Sequence, residues 1–145
     1  MARARARLEV PGDVGRVEAL WFDTSRWGDF VDGFDRLVYV DPEWPREGSV
    51  EWTSRAGGRG TVRERVVRYD PAAGQEVEVS DPSIDGTQTV AFAPGRGGRT
   101  AVELELRYRI RDASLLTPVL DVLFVRRAFN DSLRRTLARL ASELA

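Results

Sequence analysis

Between positions 3 and 10 polar and apolar residues alternate. Arg3, Arg5, Arg7 and Glu9 share one side and Ala4, Ala6, Leu8 and Val10 the other, which predicts a strand. Pro11-Gly12-Asp13 then turns the chain and offers Asp13 as an N-cap. Val14, Val17, Leu20 and Trp21 follow at helical spacing and predict a short helix to about Phe22. Thr24 or Ser25 is placed to cap a second short helix carrying Trp27 and Phe30. From Gly33 the period of two returns, predicting strands over 35–41, 49–55, 60–69, 76–80, 87–93 and 99–111. Breakers separate them: Pro42-Glu43-Trp44-Pro45, Gly57-Gly58, a four-residue loop at 71–74, Asp81-Pro82 with Asp85-Gly86, and the turn at 94–98.

The last segment has a different period. Thr117 followed by Pro118 reads as an N-cap with proline at the first helical position. Val119, Val122, Phe129, Leu133, Leu137, Leu140 and Leu144 recur at steps of three and four, and Arg126 fills the remaining stripe position. Leu120, Leu123 and Phe124 widen the apolar surface of the first half. Such a helix has about 27 residues and a length of roughly 40 Å.

One strand, two short helices, six strands in hairpin succession and one long amphipathic helix define an α+β chain. The apolar face of so large an antiparallel sheet needs a cover, and only the terminal helix is long enough. The expected architecture is a helix-grip fold, a seven-stranded curved antiparallel sheet around the C-terminal helix. Room between sheet and helix is where a small ligand binds in such an arrangement. No internal repeat or low-complexity segment divides the chain, so a single domain over 1–145 is expected.

Composition narrows the chemistry. The 145 residues include no Cys and no His, and all 22 basic residues are Arg. Thiolate nucleophiles, His bases, Schiff-base lysines and zinc sites of Cys or His are therefore excluded. No cofactor and no metal are expected, and any chemistry is left to Asp, Glu, Tyr, Ser, Thr, Arg or backbone groups. Net charge is −1, with acidic and basic residues interleaved, which is not the footprint of a nucleic-acid binder. The Arg3, Arg5, Arg7 series reads as cross-strand pairing with Glu103 and Glu105, because the first strand lies beside the last in this topology. Gly95-Arg96-Gly97-Gly98 lacks the lysine and the strand–helix context of a phosphate loop and reads as a hairpin turn. No run reaches a membrane span, and the first residues lack a signal-peptide core, so a cytoplasmic location is expected.

Several stretches, in this order, carry a family resemblance. They are Trp21-Phe22-Asp23, Ser25-Arg26-Trp27 and Phe30, Gly48 before the third strand, Glu64-Arg65-Val66 running to Asp70-Pro71, Gly97-Gly98-Arg99-Thr100, and the Arg-rich terminal helix. The chain resembles the SRPBCC or START-related superfamily, and within it the small bacterial polyketide cyclase/dehydrase-like proteins, which share their fold with the birch-pollen allergens. The resemblance implies an internal cavity for an apolar or aromatic small molecule. It transfers no catalytic residue, because the family has no universal catalytic set.

Strand alternation selects the residues facing that space. Leu104, Leu106, Tyr108 and Ile110 form one inward row, Gln88, Val90 and Phe92 a second, with Val77, Val79, Val50 and Trp52 beside them. The four-residue loop puts Val66 in phase with Val77 and turns Glu64 inward, whereas a one-residue bulge reverses this. The candidate ligand-binding set is Trp27, Phe30, Trp52, Glu64, Gln88, Phe92, Leu104, Leu106, Tyr108, Phe124 and Arg126. Glu64 is the sharpest candidate, since burial raises a carboxyl pKa and suits it to proton transfer. The competing expectation is an ion pair between Glu64 and Arg126 without chemistry.

Three functions follow as expectations. The first is binding of a small hydrophobic or aromatic molecule, lipid-like or polyketide-like. The second is a cyclase, aromatase or dehydratase using Glu64 and Tyr108 for proton transfer. The third is a homodimeric scaffold that meets its copy through Trp44 or the first half of the last helix.

Overall fold

The computed structural model describes residues 1–111 and 120–145, with the side chains of all but 120–122. The elements in chain order are β1 (Ala2–Val10), α1 (Val14–Phe22), a 3-10 turn (Thr24–Arg26), α2 (Trp27–Phe30) and β2 (Phe34–Val40). After these come β3 (Ser49–Ser54), β4 (Thr61–Asp70), β5 (Gly74–Ser80), β6 (Ile84–Pro94), β7 (Thr100–Ile110) and α3 (Leu120–Leu144). The expected cap at Thr117 and Pro118 lies outside the described residues.

All seven strands form one antiparallel sheet in the order β1-β7-β6-β5-β4-β3-β2. The chain thus closes by bringing β1 beside β7, with Ala4 opposite Leu106 and Ala6 opposite Leu104. The small alanines leave room above β1, where α3 packs, and the backbone N–H of Arg5 donates to Asn130 Oδ1 at 2.9 Å. On the opposite face Arg5 pairs with Glu103 at 2.9 Å and Glu105 at 3.3 Å, so the arginine series is answered within the sheet.

Local signals account for the element ends. Asp13 caps α1 by accepting from the Arg16 N–H at 2.9 Å. The following turn is capped by Asp23, not by Thr24 or Ser25, because its carboxylate reaches both the N–H and the hydroxyl of Ser25. Trp27 is fixed by an indole N–H bond to the Trp21 carbonyl at 2.8 Å. Phe22 is surrounded edge-on by Trp44, Tyr69 and Phe92, at centroid distances of 6.2, 5.5 and 6.1 Å.

Among the described side chains of α3 the buried ones are Leu133, Thr136, Leu137, Leu140 and Leu144, with Phe129 and Val125 packed against the core. Arg126 is exposed, which corrects its place on the stripe. Helical phase is not the reason, since Arg126 stands about five full turns before Leu144 and in line with it; the side that α3 turns to the core moves round the helix along its length. From Leu140 back through Leu133, the core face passes through Phe129 and Val125 instead of Arg126. Phe124 is displaced further and is 72% exposed.

Candidate functional site

On β3 and β4 the register sets Val50 opposite Glu64 and Trp52 opposite Val62. Glu64 and Trp52 are therefore diagonal neighbours on the inner face, within reach of a long side chain. The Trp52 indole N–H donates to Glu64 Oε2 at 2.7 Å, and both residues are buried. Two departures from a regular hairpin produce this orientation. The β4–β5 connection is shorter than expected, pairing Asp70 with Gly74, and a bulge lies between Val66 and Arg68. Each shifts the register by one residue in the same direction, so Val66 pairs with Val77 instead of Val79 and keeps the phase that a regular four-residue loop predicts.

Burial drives the Glu64 carboxyl pKa upward, against the opposing pull of the Trp52 hydrogen bond and the Arg59 charge. The partner whose charge it feels is Arg59, in the β3–β4 loop; the expected pair with Arg126 is not formed. Arg126 lies instead on the outer side of α3, in a hollow with Met1, Arg3 and Arg107.

Glu64 faces an interior cavity of about 50 Å³, lined also by Trp27, Trp52, Gln88 and Leu104 of the expected set. Trp21, Trp44, Gln75, Asp32 and Thr136 complete much of the wall. The space accommodates a few waters and is far below the roughly 300–1,000 Å³ of a ligand pocket. The roomy internal cavity expected from the fold is thus largely filled by the protein's own indoles. Phe30, Phe92 and Leu106 are buried in the surrounding core and do not line it. Trp44, expected as a contact with a second copy, turns inward and donates to the Phe22 carbonyl at 3.2 Å.

A second, larger space lies at the end of the sheet, between α3, the β3–β4 loop and the β5–β6 turn. Its volume is about 740 Å³, with Ile84, Ile110, Phe124, Val125, Ala128 and Phe129 as apolar lining. Arg59 and Ser132 line both this groove and the inner cavity. Tyr108 belongs to neither. Its ring packs against Phe129 at 4.9 Å, and its buried hydroxyl has no hydrogen-bond partner among the described residues. Burial raises the Tyr108 pKa, with Arg126 opposing.

Two polar groups of the site were not legible as such. Asp81, whose side chain is 1% exposed, receives Arg59 Nε at 2.8 Å. Asp32 accepts both arms of Arg135 at 3.0 Å, Arg139 at 3.2 Å and the Ser132 hydroxyl at 2.8 Å. The glycines around Arg59 and the Asp81-Pro82 turn were visible in the sequence, but their meeting across separate loops was not. Among the described residues no group of three acidic, His or Cys side chains is assembled to hold a metal. No described helix is long and apolar enough to cross a membrane.

The profile of a family described as "Polyketide cyclase / dehydrase and lipid transport" matches residues 1–145. The chain belongs to that family. No curated protein matches it in sequence. Solved structures nonetheless superpose over nearly its whole length. An aromatase/cyclase, Zhui, from Streptomyces sp. R1128 gives a TM-score of 0.76 at 16% identity, covering 99% of this chain and 93% of its own. A protein of Thermus thermophilus gives 0.77 at 21% identity, covering 99% and 97%. The di-domain aromatase/cyclase StfQ of the steffimycin biosynthetic pathway gives 0.78 at 16% identity over 97% of this chain and 49% of that one. At these identities the likeness shows the fold. The helix-grip architecture expected from the order of elements is the one the family shares.

Proposed function

We propose that this polyketide cyclase/dehydrase family member binds a small hydrophobic or aromatic molecule between the sheet and α3. The body of the ligand occupies the outer groove and its leading end points toward Arg59 and Glu64. The observation that carries this reading is the shared wall: Arg59 and Ser132 border both the 740 Å³ groove and the cavity that holds Glu64. Groove volume falls in the range of small-molecule sites, with an apolar lining and a few convergent polar groups. A neutral fluorescent naphthylamine, N-phenyl-1-naphthylamine, tests it by direct titration. Ala128→Trp fills the groove and weakens probe binding by about ten-fold or more, equal to about 1.4 kcal/mol. Unchanged affinity in that variant rejects the groove as the site.

A second reading has its own support. A carboxyl with a raised pKa, one oxygen held by Trp52 and the group facing a small polar cavity, suits proton transfer in a cyclase, aromatase or dehydratase-type reaction. Glu64 then carries the proton, directly or through water. Tyr108, the other expected participant, faces Phe129 outside that cavity. Glu64→Gln separates the readings: loss of turnover with probe binding intact supports chemistry, and equal turnover removes Glu64 from it.

A further inference from the structure

Arg59 is held in an unusual way for a loop residue. Its Nε donates to Asp81, and its guanidinium carbon lies 5.9 Å from the ring centre of Trp52 and 5.6 Å from that of Phe129. It thereby fills the gap between an indole of the inner cavity and a phenyl ring of the outer groove. One of its nitrogens is unsatisfied: Nη2 is buried and has no hydrogen-bond partner among the described residues. A buried unmet donor makes the seated position less favourable than its other contacts alone would make it.

The two halves of the contact are held differently. Asp81 Oδ1 accepts from the N–H groups of Ser83 and Ile84 at 2.7 and 2.9 Å, which ties Asp81 to the β5–β6 turn. Arg59 sits between Gly57 and Gly60, whose φ angles of +82° and +77° lie in the region that glycine enters without strain.

We propose that Arg59 is a gate latched by Asp81. Seated, it separates the groove from the Glu64 cavity; withdrawn, it joins them and frees the slot between Trp52 and Phe129 for a flat aromatic or conjugated part of the ligand. The gate rests on the reading that the ligand approaches through the groove, but its opening is measurable without any ligand.

Hydrogen exchange of the Trp52 indole N–H, assigned in the NMR spectrum by its absence in Trp52→Phe, reports water reaching the Glu64 cavity. Asp81→Asn keeps a carbonyl oxygen for Ser83 and Ile84 and removes the charge that holds Arg59. This exchange accelerates by about ten-fold or more in Asp81→Asn, at a melting temperature close to wild type, because the local opening becomes more frequent. Arg59→Ala accelerates it at least as much. Equal exchange in the wild type and both variants overturns the gate. If Asp81→Asn melts early, stopped-flow association of N-phenyl-1-naphthylamine with the wild type decides the matter. A rate that saturates with probe concentration in the wild type, and rises linearly in Arg59→Ala, supports gating; linear rates in both overturn it. A probe that binds neither protein rejects the groove as a ligand site, and the indole exchange of Arg59→Ala then judges the gate alone.

Discussion

The indole N–H of Trp52 and the carboxylate of Glu64 form a 2.7 Å hydrogen bond across the β3–β4 pair, inside a cavity that holds only a few waters. A hydrogen bond to the charged form favours ionisation, so it opposes the burial that dominates at Glu64. Trp52→Phe removes the donor and leaves the burial. The Glu64 midpoint then moves higher still, read from its side-chain carboxyl carbon in an NMR titration; a fall would show that the indole is not the restraining contact.

Stability follows from the same shift. With its folded pKa above the ordinary value of 4.5, Glu64 binds its proton more tightly in the folded state. Its contribution is most favourable below that value and is lost as pH rises through the folded pKa. Glu64→Gln stays neutral throughout. Its melting temperature relative to wild type therefore rises with pH from about 4 upward, and parallel melting curves at each pH check it.

Asp32 works in the opposite sense. Burial pushes its carboxyl up, but the hydrogen bonds from Arg135 and Ser132 and the charges of Arg135 and Arg139 outweigh this and hold the pKa low. Its stabilisation is present above the ordinary carboxylate range and is lost as pH falls through the lowered value. Asp32→Asn loosens the contact between the loop after α2 and α3. Urea unfolding at pH 7 shows a loss of about 1–2 kcal/mol, at the low end for a charged hydrogen bond because both arginines are half-exposed. The gap closes at strongly acid pH.

Phe124 and Leu137 lie on the same helix and separate binding from stability. Phe124→Ser leaves unfolding within about 0.5 kcal/mol of wild type, since the ring is in the groove and exposed. The same variant weakens binding of the naphthylamine probe. Leu137→Ala opens a hole in the core and destabilises by about 2–5 kcal/mol.

Gly74 closes the hairpin that orients Glu64. A Cβ there would overlap the carbonyl oxygen of Val90, and its φ is +152°. Gly74→Ala destabilises by more than about 1 kcal/mol in the same urea assay, while the small groove-lining change Ala128→Ser does not.

Strand period and element order were legible because each is a local signal. The inward rows of β6 and β7 follow from alternation alone, as the burial of Val90, Phe92, Leu104, Leu106 and Tyr108 shows. The facing of Glu64 depended on two offsets, a shorter loop and a bulge at Val67, that add to a two-residue shift and so leave the phase unchanged, and no local pattern distinguishes that pair from a regular four-residue loop. Arg126 was misplaced because spacing fixes its phase, in line with Leu144, but not which side of the helix meets the core at that point along its length. Arg59, Asp81 and Asp32 were missed for another reason. Their chemistry arises only where loops distant in sequence meet, and the length of an arginine side chain makes its destination a tertiary property.

The pairing of β1 with β7, and the packing of α3 upon β1, has a consequence for how the chain is made. The partners of the first strand are synthesised only after the five strands between them. Until then β1 has neither its ladder nor its cover, and the apolar faces of the middle strands wait with it. Closure is a late, long-range event, so folding is expected to be slow for the size of the protein, with the nascent chain dependent on holding factors until β7 and α3 arrive.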